Sequence, residues 1–210
     1  MPLPPPPLPP EVLARRDRLP VKPAAVVLTS SLVELRPLDL DADVPALHAI
    51  SSGPDCEERV WRWMSGGPFA DPAALRAWLA VQDAAPDGRP FTVWMRGAPV
   101  GVANLIANQP AHLKIELGSI WYGQAAQRTG ASREATRLLL AHVFALGYRR
   151  AEWKCDALNE ASRRAAHSYG FSFEGIQDAH YIIKGRNRDT AWYRMLAHEW
   201  AGADAGAATM

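Results

Sequence analysis

Hydrophobic and polar residues alternate with a period of two in the first third of the chain and again in its middle. In residues 31–39, Val33 and Leu35 share one face while mostly polar residues occupy the other, a pattern typical of a β-strand. The segment 90–107 contains two such runs separated by a turn with glycine and proline, which predicts a β-hairpin. The alternation in 112–123 predicts a third strand.

Other segments repeat apolar residues at helical spacing, and further strands follow them. The segments that predict helices are 44–50, 56–65, 72–82, 129–146 and 159–170. The further strands are predicted at 149–157 and in a final hairpin within 171–200. Asp41 or Asp43 is expected to cap the first helix, and Gly185 and Asn187 are expected to take positive φ in the hairpin turn.

The order of these elements predicts the fold class. Strand, helices, antiparallel strands, helix, strand, helix and two strands indicate an α+β (mixed α/β) domain over residues 28–200. Its sheet is expected to be mostly antiparallel, with one central βαβ crossover. Residues 1–27 form a proline-rich N-terminal arm, expected to be extended over the domain or disordered, with a groove-binding role as the alternative. Residues 201–210 are predicted to be a flexible tail of small residues.

Composition and charge exclude several classes of function. The 210 residues carry 23 basic and 22 acidic side chains, so no overall charge favours a nucleic acid or a membrane surface as partner. The N-terminus lacks the basic flank and apolar stretch of a signal peptide, which predicts a cytoplasmic protein. Cys56 and Cys155 lie far apart, and no histidine stands at ligand spacing from either, so neither a disulfide nor a metal site is expected.

The turn between the third strand and the long helix is the most informative segment. It consists of Gln127, Arg128, Thr129, Gly130, Ala131 and Ser132. Backbone N–H groups converge on an anion at such a helix start, and Gly130 lets a pyrophosphate approach because it has no Cβ. An ordinary helix cap is the alternative interpretation. Neither G-x-G-x-x-G nor G-x-x-x-x-G-K-[ST] occurs, so a Rossmann or P-loop site is excluded.

Two motifs carry a resemblance to a known family. Q-x-x-G-x-S at 127–132 resembles the Q/R-x-x-G-x-G/A signature with which GNAT N-acetyltransferases bind the pyrophosphate of coenzyme A. Asn159, Ser162 and Gly170-Phe171 are similar to the N-x-x-S-x(7)-G-F pattern of the branch of ribosomal-protein N-terminal (Rim-type) acetyltransferases. The resemblance covers residues 31–200, and Ser132 departs from the usual glycine or alanine.

The resemblance implies a fold, a donor and a set of cofactor contacts. It implies the GNAT fold, with a splayed pair of parallel strands that holds acetyl-CoA as the acyl donor. Main-chain N–H groups near the thioester carbonyl would come from Gly118, Ser119 and Ile120. Asn159 would cap its helix and hydrogen-bond the pantetheine arm. Mid-strand Gly118 is also consistent with a β-bulge or a close backbone approach.

The resemblance also implies three catalytic residues. Glu116, beside the thioester, and His180, on the strand after Gly170-Phe171, are the candidates for the general base, and Glu116 is preferred. A salt-bridged strand residue is the alternative for Glu116, and a hydrogen-bonded pocket wall is the alternative for His180. Ser162 would donate a proton to the leaving thiolate or merely contact the pantetheine.

The expected function is transfer of an acyl group to a primary amine, either a protein N-terminus or a small-molecule amine. Two other classes stay open. One is a catalytically inactive module that binds or senses coenzyme A, and the other is an interaction domain that uses the proline-rich arm. A homodimer is compatible with the chain length but is not indicated by it.

Overall fold

The computed structural model describes residues 4–200 and shows a single sheet flanked by helices. The strands are β1 Leu28–Thr29, β2 Glu34–Pro37, β3 Arg89–Met95, β4 Ala98–Gln109, β5 Lys114–Tyr122, β6 Arg150–Asp156, β7 Ser172–Ile183 and β8 Arg186–Leu196. The helices are α1 Pro10–Leu13, α2 Val44–Ser51, α3 Pro72–Ala84, α4 Ala131–Ala145 and α5 Glu160–Ser168. A π-helix, Glu57–Trp61, lies between α2 and α3.

The eight strands follow the order β1-β2-β3-β4-β5-β6-β8-β7 across the sheet. Every neighbouring pair is antiparallel except β5 and β6, which are parallel and joined through α4. The predicted mixed sheet with one βαβ crossover is therefore confirmed. The parallel pairing runs only from Lys114 to Glu116 on β5, and beyond that point the two strands diverge.

Two apolar clusters fix the elements around this divergence. The larger one packs α4 against the sheet, with Leu139 and Ile115 almost fully buried. The smaller one centres on Trp61, whose ring lies 5.0 Å from Phe69 and 5.1 Å from Trp121 on β5. Each fully buried leucine or aromatic side chain contributes about 1.5–3 kcal/mol. The smaller cluster therefore holds the π-helix beside the far end of β5.

Two local expectations differ from the structure. Asp43 stands at the N-cap position of α2, but its side chain accepts no hydrogen bond from the helix. It accepts the backbone N–H of Asp39 at 3.0 Å and the hydroxyl of Thr92 instead, because it is buried against β3, while Asp39 accepts the backbone N–H groups of residues 41 and 42. In the turn between β7 and β8, positive φ occurs at 184 and 185 rather than at 187.

The N-terminal arm follows a more folded course than its proline content predicts. α1 begins at Pro10, which suits the first helical position because its φ is already close to the helical value. Leu19 is buried in the larger cluster. The prediction that 201–210 form a flexible tail concerns residues that lie outside the described part of the chain.

One buried asparagine ties the arm to the domain. The amide nitrogen of Asn108 donates to the carbonyl oxygens of Pro20 and Val21 at 2.9 and 2.8 Å. Its amide oxygen accepts a 2.7 Å hydrogen bond from the hydroxyl of buried Tyr148. This side chain therefore joins the arm, the end of β4 and the loop before β6.

We expect Asn108→Ala to lower the free energy of unfolding by about 2–3 kcal/mol, because it removes three hydrogen bonds and leaves the buried hydroxyl of Tyr148 without its acceptor. Tyr148→Phe removes only one of them and should cost about 1 kcal/mol. Urea unfolding of both variants measures the difference. Equal losses would show that the contacts with the arm contribute nothing to stability.

Candidate active site

The site is built where β5 leaves its parallel neighbour. On β5, residues 119 and 120 stand opposite a single residue of β4, which makes a β-bulge, and Ser119 has a φ of 50°. The hydroxyl of Ser119 donates to Gln82 Oε1 at 2.7 Å, and its carbonyl oxygen accepts from the Asn104 amide at 3.0 Å. These contacts hold the bulge, so the Ser119 side chain is already engaged within the protein.

Gly118 precedes the bulge at a point of close packing. A Cβ at this position would lie 2.5 Å from Cδ1 of Ile106 and 3.0 Å from a carboxylate oxygen of Glu116. The expected bulge and close approach are therefore present, but the positive φ belongs to Ser119 rather than to Gly118. The absence of a side chain at 118 leaves room for the Glu116 carboxylate.

Three adjoining cavities surround this point, and Trp63 lines all of them. The phosphate-side cavity, about 770 Å³, lies between the start of α4 and α5. The central cavity, about 360 Å³, lies between the diverging strands and is lined by Glu116 and the bulge. The outer cavity, about 570 Å³, lies between the π-helix and the β7–β8 turn.

The phosphate-side cavity contains the predicted turn. Gln127, Arg128, Gly130 and Ser132 line it, whereas Thr129 and Ala131 are not among its lining residues. The Thr129 hydroxyl donates to the carbonyl oxygen of residue 126 at 2.7 Å and accepts the amide of residue 131 at 3.2 Å, which shapes the turn.

The chemistry of this cavity suits an anion. Within residues 4–200, no acceptor takes the amide hydrogens of Gly130, Ser132 and Arg133 at the start of α4. Gly130 has a φ of 89°, and a Cβ there would meet only the Leu32 side chain, at 3.5 Å. Four arginines and one glutamate line the cavity, giving three net positive charges: Arg59, Arg128, Arg133, Arg164 and Glu58. Free amides, a helix N-terminus and excess positive charge together match the needs of a diphosphate.

Glu116 faces the central cavity as a buried carboxylate. It is 6% exposed, and its Oε2 lies 2.7 Å from Nζ of Lys154 on β6. Lys154 also lies over the Trp192 ring, 4.0 Å from the centroid. Burial raises the pKa of Glu116 above its ordinary value, and the nearby Lys154 opposes that rise. The carboxylate therefore retains more affinity for a proton than an exposed glutamate.

His180 is placed beside the central cavity but is not among its lining residues. Its ring stacks on Tyr181, with 3.8 Å between centroids, and lies 5.8 Å from Trp192. The Nδ1 atom is buried and has no hydrogen-bond partner within residues 4–200. Desolvation lowers the pKa of His180, and the positive charges of Lys154 and Arg188 lower it further.

Ser162 and Asn159 line both the phosphate-side and the central cavity. The Asn159 side chain accepts the backbone N–H of Ser162 at 3.0 Å, which confirms the predicted cap of α5. The Ser162 hydroxyl oxygen accepts a 3.0 Å hydrogen bond from Nε1 of Trp153, so its own hydrogen is directed away from the indole. Cys155 lines the central cavity beside it; burial raises the pKa of the Cys155 thiol, and the hydrogen bond with Ser162 opposes that rise.

The structure adds functional candidates that the sequence did not indicate. Lys154 pairs with Glu116, Trp63 separates the cavities, and Arg188 lines both the central and the outer cavity. The contact between Lys154 and Glu116 is apparent only from the register between β5 and β6. The hydroxyl of Tyr169 also donates to Ser132 Oγ at 3.0 Å.

Comparisons with known proteins agree with this geometry. Residues 33–172 match the family model described as an acetyltransferase (GNAT) domain. A GCN5-related N-acetyltransferase from Brucella melitensis is 40% identical, with a TM-score of 0.81 over 85% of this chain and 81% of that chain. A search of curated proteins gives no match.

Two further solved structures are similar. A protein from Chromobacterium violaceum described as a GNAT-family acetyltransferase is 36% identical, with a TM-score of 0.80 over 85% of this chain and 90% of that chain. RimL, a ribosomal L7/L12 alpha-N-protein acetyltransferase solved with coenzyme A, is 20% identical. It has a TM-score of 0.67 over 81% of this chain and 98% of that chain, a likeness of fold.

Residues 4–200 contain neither a candidate membrane-spanning helix nor a candidate metal cluster. No helix there has the length and apolar character needed to cross a membrane. The same residues contain no group of three or more histidine, cysteine, aspartate or glutamate side chains arranged to hold a metal ion.

We expect Lys154→Met to raise the pKa of Glu116 further, because the variant removes the cation that favours the carboxylate and keeps the burial that disfavours it. A ¹³C-carboxyl NMR titration measures the shift. A raised pKa in the folded state also means that Glu116 stabilises the fold at low pH and that this contribution is lost as pH rises through the folded pKa.

The free energy of unfolding of Lys154→Met should therefore fall with rising pH more steeply than that of the wild type. The double variant Lys154→Met, Glu116→Gln is the control, because it has no carboxyl group left to titrate at this position. An unchanged NMR titration in the single variant would mean that the ion pair does not form in solution.

Proposed function

The chain belongs to the GNAT acetyltransferase family, and from that premise we propose that it transfers the acetyl group of acetyl-CoA to the primary amine of a small molecule or a protein N-terminus. Acyl transfer from acetyl-CoA is the general activity of the family. The observation that carries the proposal is the continuity of the site. A basic cavity with free helix amides opens past Ser162 into the gap that holds a buried carboxylate.

The residues of the phosphate-side cavity suit coenzyme A. The amides at the start of α4 and the side chains of Gln127 and Arg128 would hold the pyrophosphate, with Arg133 and Arg164 beside it. Asn159 would contact the pantetheine arm of acetyl-CoA, since Asn159 lines both the phosphate-side and the central cavity that this arm must cross. When bound, acetyl-CoA supplies an activated thioester.

The bulge of β5 would orient that thioester. Residues 118–120 line the central cavity, and Ile120 also lines the phosphate-side cavity, so the backbone of this stretch faces the path between them. A backbone N–H held by the bulge stabilises negative charge on a carbonyl oxygen without reorganising. Gln82 and Asn104 keep this backbone in place by their hydrogen bonds to Ser119.

Glu116 is the proposed general base. An ammonium group must lose a proton before its nitrogen can attack, and a buried carboxylate with a raised pKa accepts that proton more readily than an exposed one. The positive charge of Lys154 keeps a fraction of Glu116 ionised for this task. His180 is the alternative base, but it is absent from the lining of the central cavity.

Ser162 is the proposed proton donor to the departing thiolate. Its oxygen accepts from Trp153, which fixes the hydroxyl at the junction of two cavities and leaves its hydrogen available. A serine is a weak acid, so the proton it gives would be replaced from solvent as the thiolate leaves.

One observation favours a second candidate, a module that binds coenzyme A without turnover. Glu116 is already engaged with Lys154 at 2.7 Å, and a carboxylate held in an ion pair is a poorer base than a free one. Steady-state kinetics with a panel of amines separate the two candidates, because only an enzyme releases coenzyme A in proportion to the amine supplied.

We expect Glu116→Gln to lower kcat/KM for the amine by about 10²–10⁴-fold, because it removes the proton acceptor at nearly constant shape. Binding of acetyl-CoA, measured by isothermal titration calorimetry, should be unchanged. His180→Ala is the paired variant and should have the smaller effect. A larger loss in His180→Ala would transfer the role of base to that residue.

We expect Ser132→Asp to weaken binding of coenzyme A by about 10- to 100-fold, because it sets a carboxylate against the pyrophosphate. An acidic residue in the first turn suits a helix, so the fold should be retained. Ser132→Asn, which has the same shape and no charge, is the control. If both variants bind coenzyme A as the wild type does, the pyrophosphate is held elsewhere.

A further inference from the structure

Arg188 is a cation without a partner at the junction of two cavities. Within residues 4–200, its guanidinium makes no hydrogen bond and no ion pair, and its Nε is buried away from solvent. The ring of Tyr181 lies beside it, with its centroid 5.6 Å from Cζ. An Nε–H that is buried without an acceptor is costly, which favours an anionic partner that reaches Arg188 through one of the two cavities.

The other charged groups of the outer cavity leave Arg188 without an ion pair. Glu58 pairs with Arg62, and Lys184 donates to the carbonyl oxygen of Trp61 at 2.8 Å. Asp156 accepts the backbone N–H of residue 158 at 2.8 Å. Glu57 also lines the cavity but pairs with no cation within residues 4–200, so none of the three carboxylates there is bound to Arg188.

The central cavity offers Arg188 no free anion either. Its carboxylate, Glu116, lies 2.7 Å from Lys154, although the charge of Arg188 also lowers the pKa of Glu116 from a greater distance. The thiol of Cys155 is held neutral by burial, which raises its pKa. Arg188 also faces His180, whose pKa it lowers.

The unpaired charge of Arg188 lies between the outer cavity and the proposed general base. Arg188 lines the outer and the central cavity, and Glu116 lines the central one. An acceptor that enters from the outer cavity must pass Arg188 before its amine reaches Glu116. A guanidinium presents a planar pair of donors that matches the two oxygens of a carboxylate.

We infer that the acceptor is an amino acid with a free carboxylate, which Arg188 binds while the amine of the same molecule lies beside Glu116. The inference rests on the proposed function and narrows it from amines in general to amino carboxylates. The side chain of the acceptor extends into the outer cavity, whose volume of about 570 Å³ accommodates it.

The test compares amino acids with their own carboxamides as acceptors for the full chain and acetyl-CoA. The carboxamide keeps the shape of the amino acid and removes the negative charge. Its amine is also less basic, so a larger fraction is unprotonated, and this alone would make the amide the better acceptor. We expect the wild type nevertheless to prefer the carboxylate by about tenfold or more in kcat/KM. Acceptance of the amides as well as the acids would overturn the inference.

Arg188→Gln should raise KM for the amino acids by about 10- to 100-fold, with a smaller change in kcat, and should leave the amides within about threefold. Arg188→Lys should fall between, since it keeps the charge and loses the planar pair of donors. Arg76→Gln, a surface arginine paired with Asp41 outside the lining of all three cavities, is the matched control. An equal loss for acids and amides in Arg188→Gln would show a structural role only and would overturn the inference.

A thermal-shift measurement, which needs no turnover, tests the inference separately from the proposed function. In the presence of coenzyme A, N-acetyl amino acids should raise the Tm of the wild type more than the corresponding N-acetyl amides, and Arg188→Gln should abolish the difference. If coenzyme A raises the Tm but neither the N-acetyl amino acids nor the N-acetyl amides raise it further, the assignment of Arg188 is wrong while the coenzyme A site stands. If coenzyme A itself has no effect, the proposed function is wrong and the inference falls with it.

Discussion

The site depends on the point at which the hydrogen bonds between the parallel strands β5 and β6 end. The last paired residues are Glu116 and Glu152. Beyond it, the bulge at residues 119 and 120 turns the backbone of β5, and Gln82 with Asn104 holds it there. The gap exists because two neighbouring strands are prevented from continuing their ladder. The phosphate-side cavity, the buried carboxylate of Glu116 and the outer cavity are all positioned by that separation.

Charge is distributed along the gap in a definite order. The phosphate-side cavity has an excess of arginines, the central cavity contains the Glu116–Lys154 pair, and Arg188 lies where the central and outer cavities meet. A molecule with a negative group at each end therefore finds cations on both sides of the Glu116–Lys154 pair. This order is compatible with a reaction in which a neutral amine meets a neutral thioester between two anionic anchors.

Sequence patterns predicted most of the fold, and four residues of the turn that they singled out line a cavity. Period-two and helical spacing indicated every major strand and helix, because both depend on local burial. The turn at 127–132 was recognisable because its residues are consecutive in the sequence. The contacts of Glu116 with Lys154 and the exposure of Arg188 to two cavities were not predictable, because they depend on the register between strands distant in sequence. The helical start of the arm and the cap before α2 also escaped prediction, since several nearby aspartates and prolines satisfy the same local rule.

A single indole, that of Trp63, forms part of the wall of all three cavities. A ligand that displaces it on one side changes the volume available on the other two. Association of the donor and of the acceptor is then thermodynamically linked, with a coupling free energy that is the same whichever molecule arrives first.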